Sequence, residues 1–449
     1  MSEQDHGPVH DVVAIGVGPF NLGLAALAEP VVGLDVVCLD DNPGFDWHPG
    51  LLLEGATLQT PFLADLVTLA DPTSPYSFLN YLKMTGRIYA FYIREQFFML
   101  RAEYNQYCRW VADQLSGVVF DRRVTAIHYE AEHDTYRVET TAPVAGSSQV
   151  YRARHLVLGT GPARYVPECC RGLSGEVFHA VDYLDHKAAL ATAERVAIVG
   201  SGQSAAEIFR DRLNYVGDGQ RLDWFTRSPR FFAMAYDKLT LELTSPEYID
   251  YFHSLPEHTR QRLSAAQKPL YKGIDRDLSA DIYDTLYEKQ VHGITAIGMQ
   301  ANASLTDVSQ DSHGRFYLSF SQTEQGAVFE HVCDALILAT GFSHHVPDYI
   351  APIADRLRWD SQNRYDVTRT YAIDTGGRRV FVQNAEGHTH GFTASDLGMA
   401  CYRNAVILRE IVGREVYPVE QAIAFQTFDV TGQPAANPEM PRKQRRHEG

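Results

Sequence analysis

Short apolar runs closed by glycine recur along this chain, and each reads as a buried parallel strand meeting a turn. The first is Val12 to Ile15, followed by Gly16 and Gly18 and a helical start from Asn21 to Ala28. Val36 to Leu39 repeats the strand pattern and ends in Asp40. Residues 118–160 hold several strand-like runs, the last leading into a Gly-Thr-Gly turn and a proline-bounded linker. Val196 to Val199, Arg221 to Thr226, Asp334 to Thr340 and Arg379 to Asn384 continue the series. Over 94–115, Phe98, Tyr104, Tyr107, Cys108, Val111 and Leu115 fall at helical spacing and predict one amphipathic helix. Residues 237–292 also read as helical, and a glycine-bearing turn after His390 leads into a long closing helix. Strands alternating with helices predict an α/β fold.

Two of the strand–turn–helix units carry chemistry. Glycines at such a turn let backbone approach a pyrophosphate, whose charge then meets the free N–H groups of the helix N-terminus. The first unit has Gly16, Gly18, Pro19 and Phe20, but Asn21 replaces the usual third glycine and weakens the match. In the second, Gly200, Ser201, Gly202, Gln203, Ser204 and Ala205 give a near-ideal GxGxxA. Two such units in one chain predict two Rossmann-like domains and two dinucleotides, a flavin and a nicotinamide. Asp40 stands where an acid bonds a ribose hydroxyl, or else only forms a turn with Asp41 to Gly44. The second unit's next strand ends in Arg227, which suits the 2′-phosphate of NADPH or is a surface arginine. Trp47 and His48 either line a ring system or pack; Arg101 and Arg109 either reach a cofactor or are solvated.

At 449 residues and 45% hydrophobic, the chain is long enough for two or three domains. Its 40 basic and 56 acidic residues give a formal charge of −16, which argues against a nucleic-acid or anionic-membrane surface. Cysteines at 38, 108, 169, 170, 333 and 401 show no CxxC pair and no metal-ligand spacing. No carboxylate or cysteine falls at ligand spacing to His344, His345, His388 or His390, so no metal is expected. The polar first ten residues and the lack of a long apolar stretch predict a cytoplasmic protein.

Across nearly its whole length the chain resembles the microbial N-hydroxylating flavin monooxygenases of siderophore biosynthesis. These hydroxylate the terminal amine of lysine, ornithine, or the diamines putrescine and cadaverine. The resemblance rests on GVGPFNL (16–22), WHPG (47–50), LQTPFLADLVTLADPTSPYSFLNYL (58–82), RAEYNQYCRW (101–110), GSGQSAAE (200–207), ATGF (339–342) and THGFTASDLGMACYR (389–403). A degenerate monooxygenase-like signature, Gly175, His179 and Tyr183, agrees.

The resemblance implies FAD held in 1–185 and 331–449, NADPH in 186–330, a helical substrate region over about 237–292, and often a homotetramer. It implies flavin contacts at Thr340, Gly341, Phe342 and Leu397, with Gln59 near the isoalloxazine and Gln59 and Arg101 as candidate catalytic residues. The reaction it implies passes hydride from NADPH to FAD, and oxygen from a C4a-hydroperoxyflavin to an amine. A free alkylamine has a pKa near 10.4, so the site must be dry enough to present it neutral.

One departure bears on the substrate. The amino-acid enzymes of this family carry a lysine where this chain has Ala64, and that lysine holds the α-carboxylate. Asparagines that ornithine enzymes use align with Leu241 and Leu270. Asp396 stands where those enzymes have a neutral residue. An anion gained and a cation lost fit a substrate with two ammonium ends, unless Asp396 only caps the closing helix. A diamine is therefore expected, with lysine or ornithine hydroxylation as the nearer alternative. A non-hydroxylating flavin oxidoreductase or a redox sensor is more distant.

Overall fold

The computed structural model describes residues 7–430 except Asp218 and Tyr236. Its first unit is built on a seven-stranded sheet. Across it run Val118–Val119, Val36–Leu39, Val9–Ile15, Ser148–Leu158, Thr135–Thr141 and Arg123–Glu130, with Val380–Val382 beside the far end of Ser148–Leu158. Ile15 pairs with Leu39 and with Leu158, and Leu158 with Val382, so four parallel strands end level. Ligands of α/β sheets bind beyond that edge. Side chains alternate across the sheet as a two-residue period demands. Val12 and Ala14 join the core under helix Pro19–Ala28, and Val13 and Ile15 join the core on the opposite face.

The second unit's five strands are all parallel, in the order Val177–His179, Ala335–Leu338, Arg195–Val199, Arg221–Phe225 and Ile297–Gln300. They too end level, at His179, Leu338, Val199, Phe225 and Gln300. An antiparallel meander over Ala303–Gln310, Phe316–Gln322 and Ala327–Cys333 leads back into Ala335–Leu338, the strand beside the central Arg195–Val199. The divisions expected after 185 and 330 therefore shift. Val177–His179 lies before the first and Ala335–Leu338 after the second, yet both are strands of this sheet. The physical reason is that a strand such as Arg195–Val199, buried on both edges, needs a parallel neighbour on each side. Residues 431–449 of the expected last segment lie outside the described residues.

Two linkers join the units, and they pair with each other. Ala163–Arg164 and Phe342–Ser343 form a two-stranded antiparallel ladder, extended by Tyr165 N–H to Gly341 O at 2.9 Å. The expected helical region consists of Lys238–Leu241, Pro246–Ser254, Glu257–Ala266, Lys268–Tyr271 and Arg276–Val291. The helix expected over 94–115 is shorter, Arg101–Ala112, because Phe98–Leu100 pairs as a strand with Thr57–Pro61. The closing helix, Ala400–Val412, ends at Gly413 with φ +74°, a left-handed cap that favours glycine.

Candidate active site

The two glycine turns do the same two jobs. Gly16 has φ +89°, and a Cβ there would stand 2.6 Å from Gly159 O at the end of the neighbouring strand. Gly200 has φ +139°, and its Cβ would stand 2.0 Å from Ala339 O. Neither position accepts a side chain. Gly18 and Gly202 are different: both are extended, with no atom within 4 Å of a Cβ at Gly18 and only Lys272 O, at 3.9 Å, near one at Gly202. Each leaves open space directly before a helix N-terminus, the room that a pyrophosphate needs. Pro19 begins the first helix at the position where a missing N–H costs nothing.

Asn21 is fully buried and holds the first turn. Its Nδ2 donates to Ile15 O (3.2 Å) and Gly16 O (2.8 Å), and its Oδ1 accepts from Gln383 Nε2 (2.8 Å). Gln383 Oε1 accepts in turn from Arg403 Nε at 3.3 Å. Arg403 pairs with the fully buried Glu386, donates to Ala394 O at 2.8 Å, and lies over the Phe20 ring at 4.3 Å. A chain of buried polar groups thus runs from the closing helix to the turn. Asp40 binds Val17 N–H at 2.7 Å and the Asn42 backbone and side chain at 2.9 and 2.8 Å, so it ties the turn to its own loop.

Around the second turn the charges are positive and the surface is open. Arg227 is exposed, and the Lys272 ammonium lies below its usual pKa, chiefly through partial desolvation and then through Lys268 and Arg227. Lys272 O lies beside Gly202. Three cations therefore converge beyond the strand end in a chain whose net charge is strongly negative. Ser201 Oγ meets Ser228 Oγ at 3.2 Å. Gln203 is occupied: its Nε2 donates to Glu207 at 3.0 Å and its Oε1 accepts from Asp275 N–H at 2.8 Å. Ser204 lies in the first turn of helix Gln203–Leu213.

Between the units stand Trp47, His48, Arg101 and the ATGF segment. His48 has φ +51° and faces Trp47, at 4.8 Å between ring centroids, and Phe342, at 5.8 Å. Burial first, then Arg101, Arg164 and His179, lower its pKa to about 4, so the imidazole is neutral at pH 7. Phe342 meets His179 edge-on at 5.4 Å, and His179 Nε2 lies 3.0 Å from Gly341 O. Thr340 Oγ1 donates to Tyr165 O at 2.5 Å. Arg101 is buried and gives both Nη atoms to Glu207, at 2.7 and 2.8 Å, and Nη1 also to Leu51 O at 3.0 Å. This bidentate pair joins a helix of the first unit to the helix that follows the second glycine turn.

Gln59 lies on strand Thr57–Pro61, and its Nε2 is buried without a hydrogen-bond partner among the described residues. Thr60 Oγ1 is in the same state. Successive side chains of a strand face opposite sides, so the orphaned Gln59 amide alone marks one face as a place for a polar ligand ring. Ala64 follows, buried, and a Cβ on Gly398 would stand 3.9 Å from Ala64 Cβ and 2.9 Å from Asp396 Oδ1. Ala64 and Asp396 therefore lie close together, on either side of Gly398. Asp396 does cap the turn before the closing helix, accepting Gly398 N–H at 2.6 Å. Burial raises its carboxyl above the ordinary value against the pull of the Gly398 and Met399 N–H groups and of Arg403. Leu397, half-buried, follows it. Leu241 ends one short helix of the helical region and Leu270 lies in another, Lys268–Tyr271, each half-buried.

Sequence reasoning passed over Glu207, Thr60, Lys268, Lys272 and the Gln383–Arg403–Glu386 chain. Glu207 stood inside a recognised motif, and the lysines inside the run KPLYKG; their partners are far off in sequence. Asp65 was missed as well. It accepts from the N–H of Val67, Thr68 and Phe78 and from Thr68 Oγ1, knotting the long block that follows Ala64. All six cysteines are free, and no three His, Cys, Asp or Glu side chains converge as a metal-binding group among the described residues. No described helix is long and apolar enough to cross a membrane.

Known proteins share this arrangement. A putrescine N-hydroxylase of Shewanella oneidensis is 46% identical over 94% of this chain and 84% of its own. The FAD-bound crystal structure of DfoA, the cadaverine monooxygenase of the desferrioxamine pathway in Erwinia amylovora, is 51% identical. It superposes with a TM-score of 0.93 over 95% of this chain and 100% of that one. An ornithine N-hydroxylase of Kutzneria sp. 744, solved with reduced FAD, NADP+ and L-ornithine, is 26% identical, with a TM-score of 0.82 over 90% and 99%. The model of the L-lysine 6-monooxygenase/L-ornithine 5-monooxygenase family matches residues 8–344, and with two glycine turns and two level sheet edges, this chain belongs to that family.

Proposed function

We propose that this enzyme N-hydroxylates one end of a short aliphatic diamine, putrescine or cadaverine, for hydroxamate siderophore biosynthesis. The observation that carries the reading is the closeness of Ala64 and Asp396 on either side of Gly398. A substrate α-carboxylate would find a methyl group and a like charge there, and an unpaired buried carboxylate is costly. An ammonium would find a carboxylate whose neighbouring cation, Arg403, is already committed to Glu386. Leu241 and Leu270 complete an apolar wall for the methylene chain, where polar residues would serve an amino acid. Asp396 is then both a cap and the partner of the ammonium that is not oxidised.

FAD fits the first turn and NADPH the second; reduced by NADPH, the flavin supplies from O2 the atom that ends on nitrogen. The chain's own residues do the rest. Gly16, Gly18, Pro19, Phe20 and Asn21 form the first cradle, and Asp40 reaches toward a ribose while holding its loop. Gly200, Ser201, Gly202, Gln203 and Ser204 form the second, with Arg227 and the two lysines on the 2′-phosphate. Gln59 directs its unsatisfied amide at the flavin ring. Trp47, neutral His48, Thr340, Gly341, Phe342 and Leu397 close the cleft between the two coenzymes against water. Dryness matters because desolvation pushes the reacting amine toward its neutral, nucleophilic form. Arg101 is a positioning residue: its pair with Glu207 sets the second turn's helix against the first unit. We place the enzyme in the cytoplasm, as a homotetramer.

The test is a panel of putrescine, cadaverine, L-lysine and L-ornithine, scored as hydroxylamine formed per NADPH oxidised. Faster turnover of either amino acid would overturn the diamine assignment. Asp396→Asn should raise the diamine KM about tenfold or more and leave the NADPH KM within about twofold. Equal effects on both would reduce Asp396 to a cap.

A further inference from the structure

From Pro418 to Val430 the chain has no helix or strand, yet it is held at both ends of its course. At its root, Tyr417 OH donates to Leu27 O at 2.7 Å, on the helix of the first glycine turn. Further on, four consecutive backbone N–H groups are taken by two carboxylates of the helical region. Ile423 and Ala424 donate to Glu247 Oε1 at 2.6 and 2.9 Å; Phe425 and Gln426 donate to the two oxygens of Glu242 at 3.1 and 3.0 Å. Gln426 Nε2 adds a bond to Leu239 O at 2.7 Å. Phe428 then meets Tyr248 edge-on at 5.1 Å and Tyr251 at 6.3 Å.

Beyond its root, where Val419 packs against the core, hydrophobic burial is not what holds this segment. Ile423 is 49% exposed, Phe425 97% and Val430 104%. It is fastened by backbone hydrogen bonds to charged acceptors and by one aromatic ring, a fastening that opens at small cost because little apolar surface must be wetted. What it fastens is the substrate wall. Glu242 directly follows Leu241, and Tyr248 touches Phe392, which stacks on Tyr271 beside Leu270. Phe392 in turn lies on the segment that leads to Asp396.

We propose that residues 418–430 are a clasp over the diamine chamber, closed on bound substrate and released for its entry, with Glu242 and Glu247 as its positioning residues. This inference rests on the chamber proposed above. Closed, the clasp fixes helices Lys238–Leu241 and Pro246–Ser254 against the first unit, and so holds the pocket wall in register with the flavin. Open, it releases Glu242 and Glu247 and with them the helices they sit beside.

The experiment uses the full-length holoenzyme. In the wild-type protein, hydrogen–deuterium exchange at amides 423–426 should slow about tenfold on adding saturating putrescine, whereas NADP+ alone should not change it. The Glu242→Ala/Glu247→Ala double variant should raise the diamine KM about tenfold and lower hydroxylamine formed per NADPH. Its FAD content and NADPH KM should match wild type, and Glu242→Gln/Glu247→Gln, whose amide oxygens still accept, should recover much of the loss. Equal exchange with and without diamine, or a double variant with wild-type diamine KM and coupling, would overturn the clasp. A wrong diamine assignment shows separately, as wild-type enzyme that leaves putrescine and cadaverine unreacted.

Discussion

The two glycine turns share a backbone and differ in what stands behind them. Behind the first lies a dry relay of Asn21, Gln383, Arg403 and Glu386, closed off by the last helix. Beside the second lie exposed Arg227 and two lysines, and the buried pair of Arg101 with Glu207 holds the helix after the turn rather than the turn's own backbone. A cradle that is wired into the core suits a coenzyme that stays through many cycles. One that offers solvent-facing charge suits a coenzyme that must arrive and be exchanged, since exposed cations speed encounter more than they deepen binding. Under the proposed assignment, the same local sequence pattern would serve a resident and a visitor.

The sharpest way to break this contrast is Arg403→Ala. It would leave Glu386 buried without its cation, a loss on the order of 3–5 kcal/mol. Melting temperature and FAD content should both fall, while NADP+ affinity of the protein that remains loaded with FAD stays near wild type. If FAD content were unchanged, the relay would be structural only.

A middle-sized effect lies at the boundary of the two units. His48 titrates near pH 4 in the folded chain and near 6.5 unfolded, so between those values the unfolded state binds more protons. Its contribution, at most about 3 kcal/mol, is complete above pH 6.5 and is lost as pH falls toward 4. The lowered values of His179, His253, His388 and His390, each caused mainly by burial, act with the same sign. Thermal melts from pH 7 to 4.5 should decline steeply, and His48→Gln should flatten part of that decline.

The smallest effect sharpens the comparison from the other side. Arg227→Ala should raise the NADPH KM about tenfold and leave that for NADH almost unchanged, as expected for a partly solvated contact with phosphate. Equal changes for both coenzymes would move Arg227 away from the 2′-phosphate.

Much of this was legible because the determinants are local. Both glycine turns, their strands and the helical region follow from runs of a few residues, and the level strand ends follow from the parallel pairing those runs imply. Asn21 shows where pattern reading fails: as a letter it spoils the fingerprint, yet as a side chain it bonds the turn directly. Its partner Gln383 lies at the other end of the chain, and no window of sequence contains both. Arg101 and Glu207 were each within sight, but their bidentate pairing is a fact of how two units dock. The sheet boundaries moved for a like reason. Whether Ala335–Leu338 joins the first or the second sheet depends on which strands stand beside it, not on its own residues.

The doubled linker has a mechanical consequence. A single tether would let one body spin freely against the other, but the ladder of Arg164 with Phe342 and Ala163 with Ser343 pairs two of them. Two crossings held side by side limit how far one body can turn about the other, where a single strand would leave that turn open.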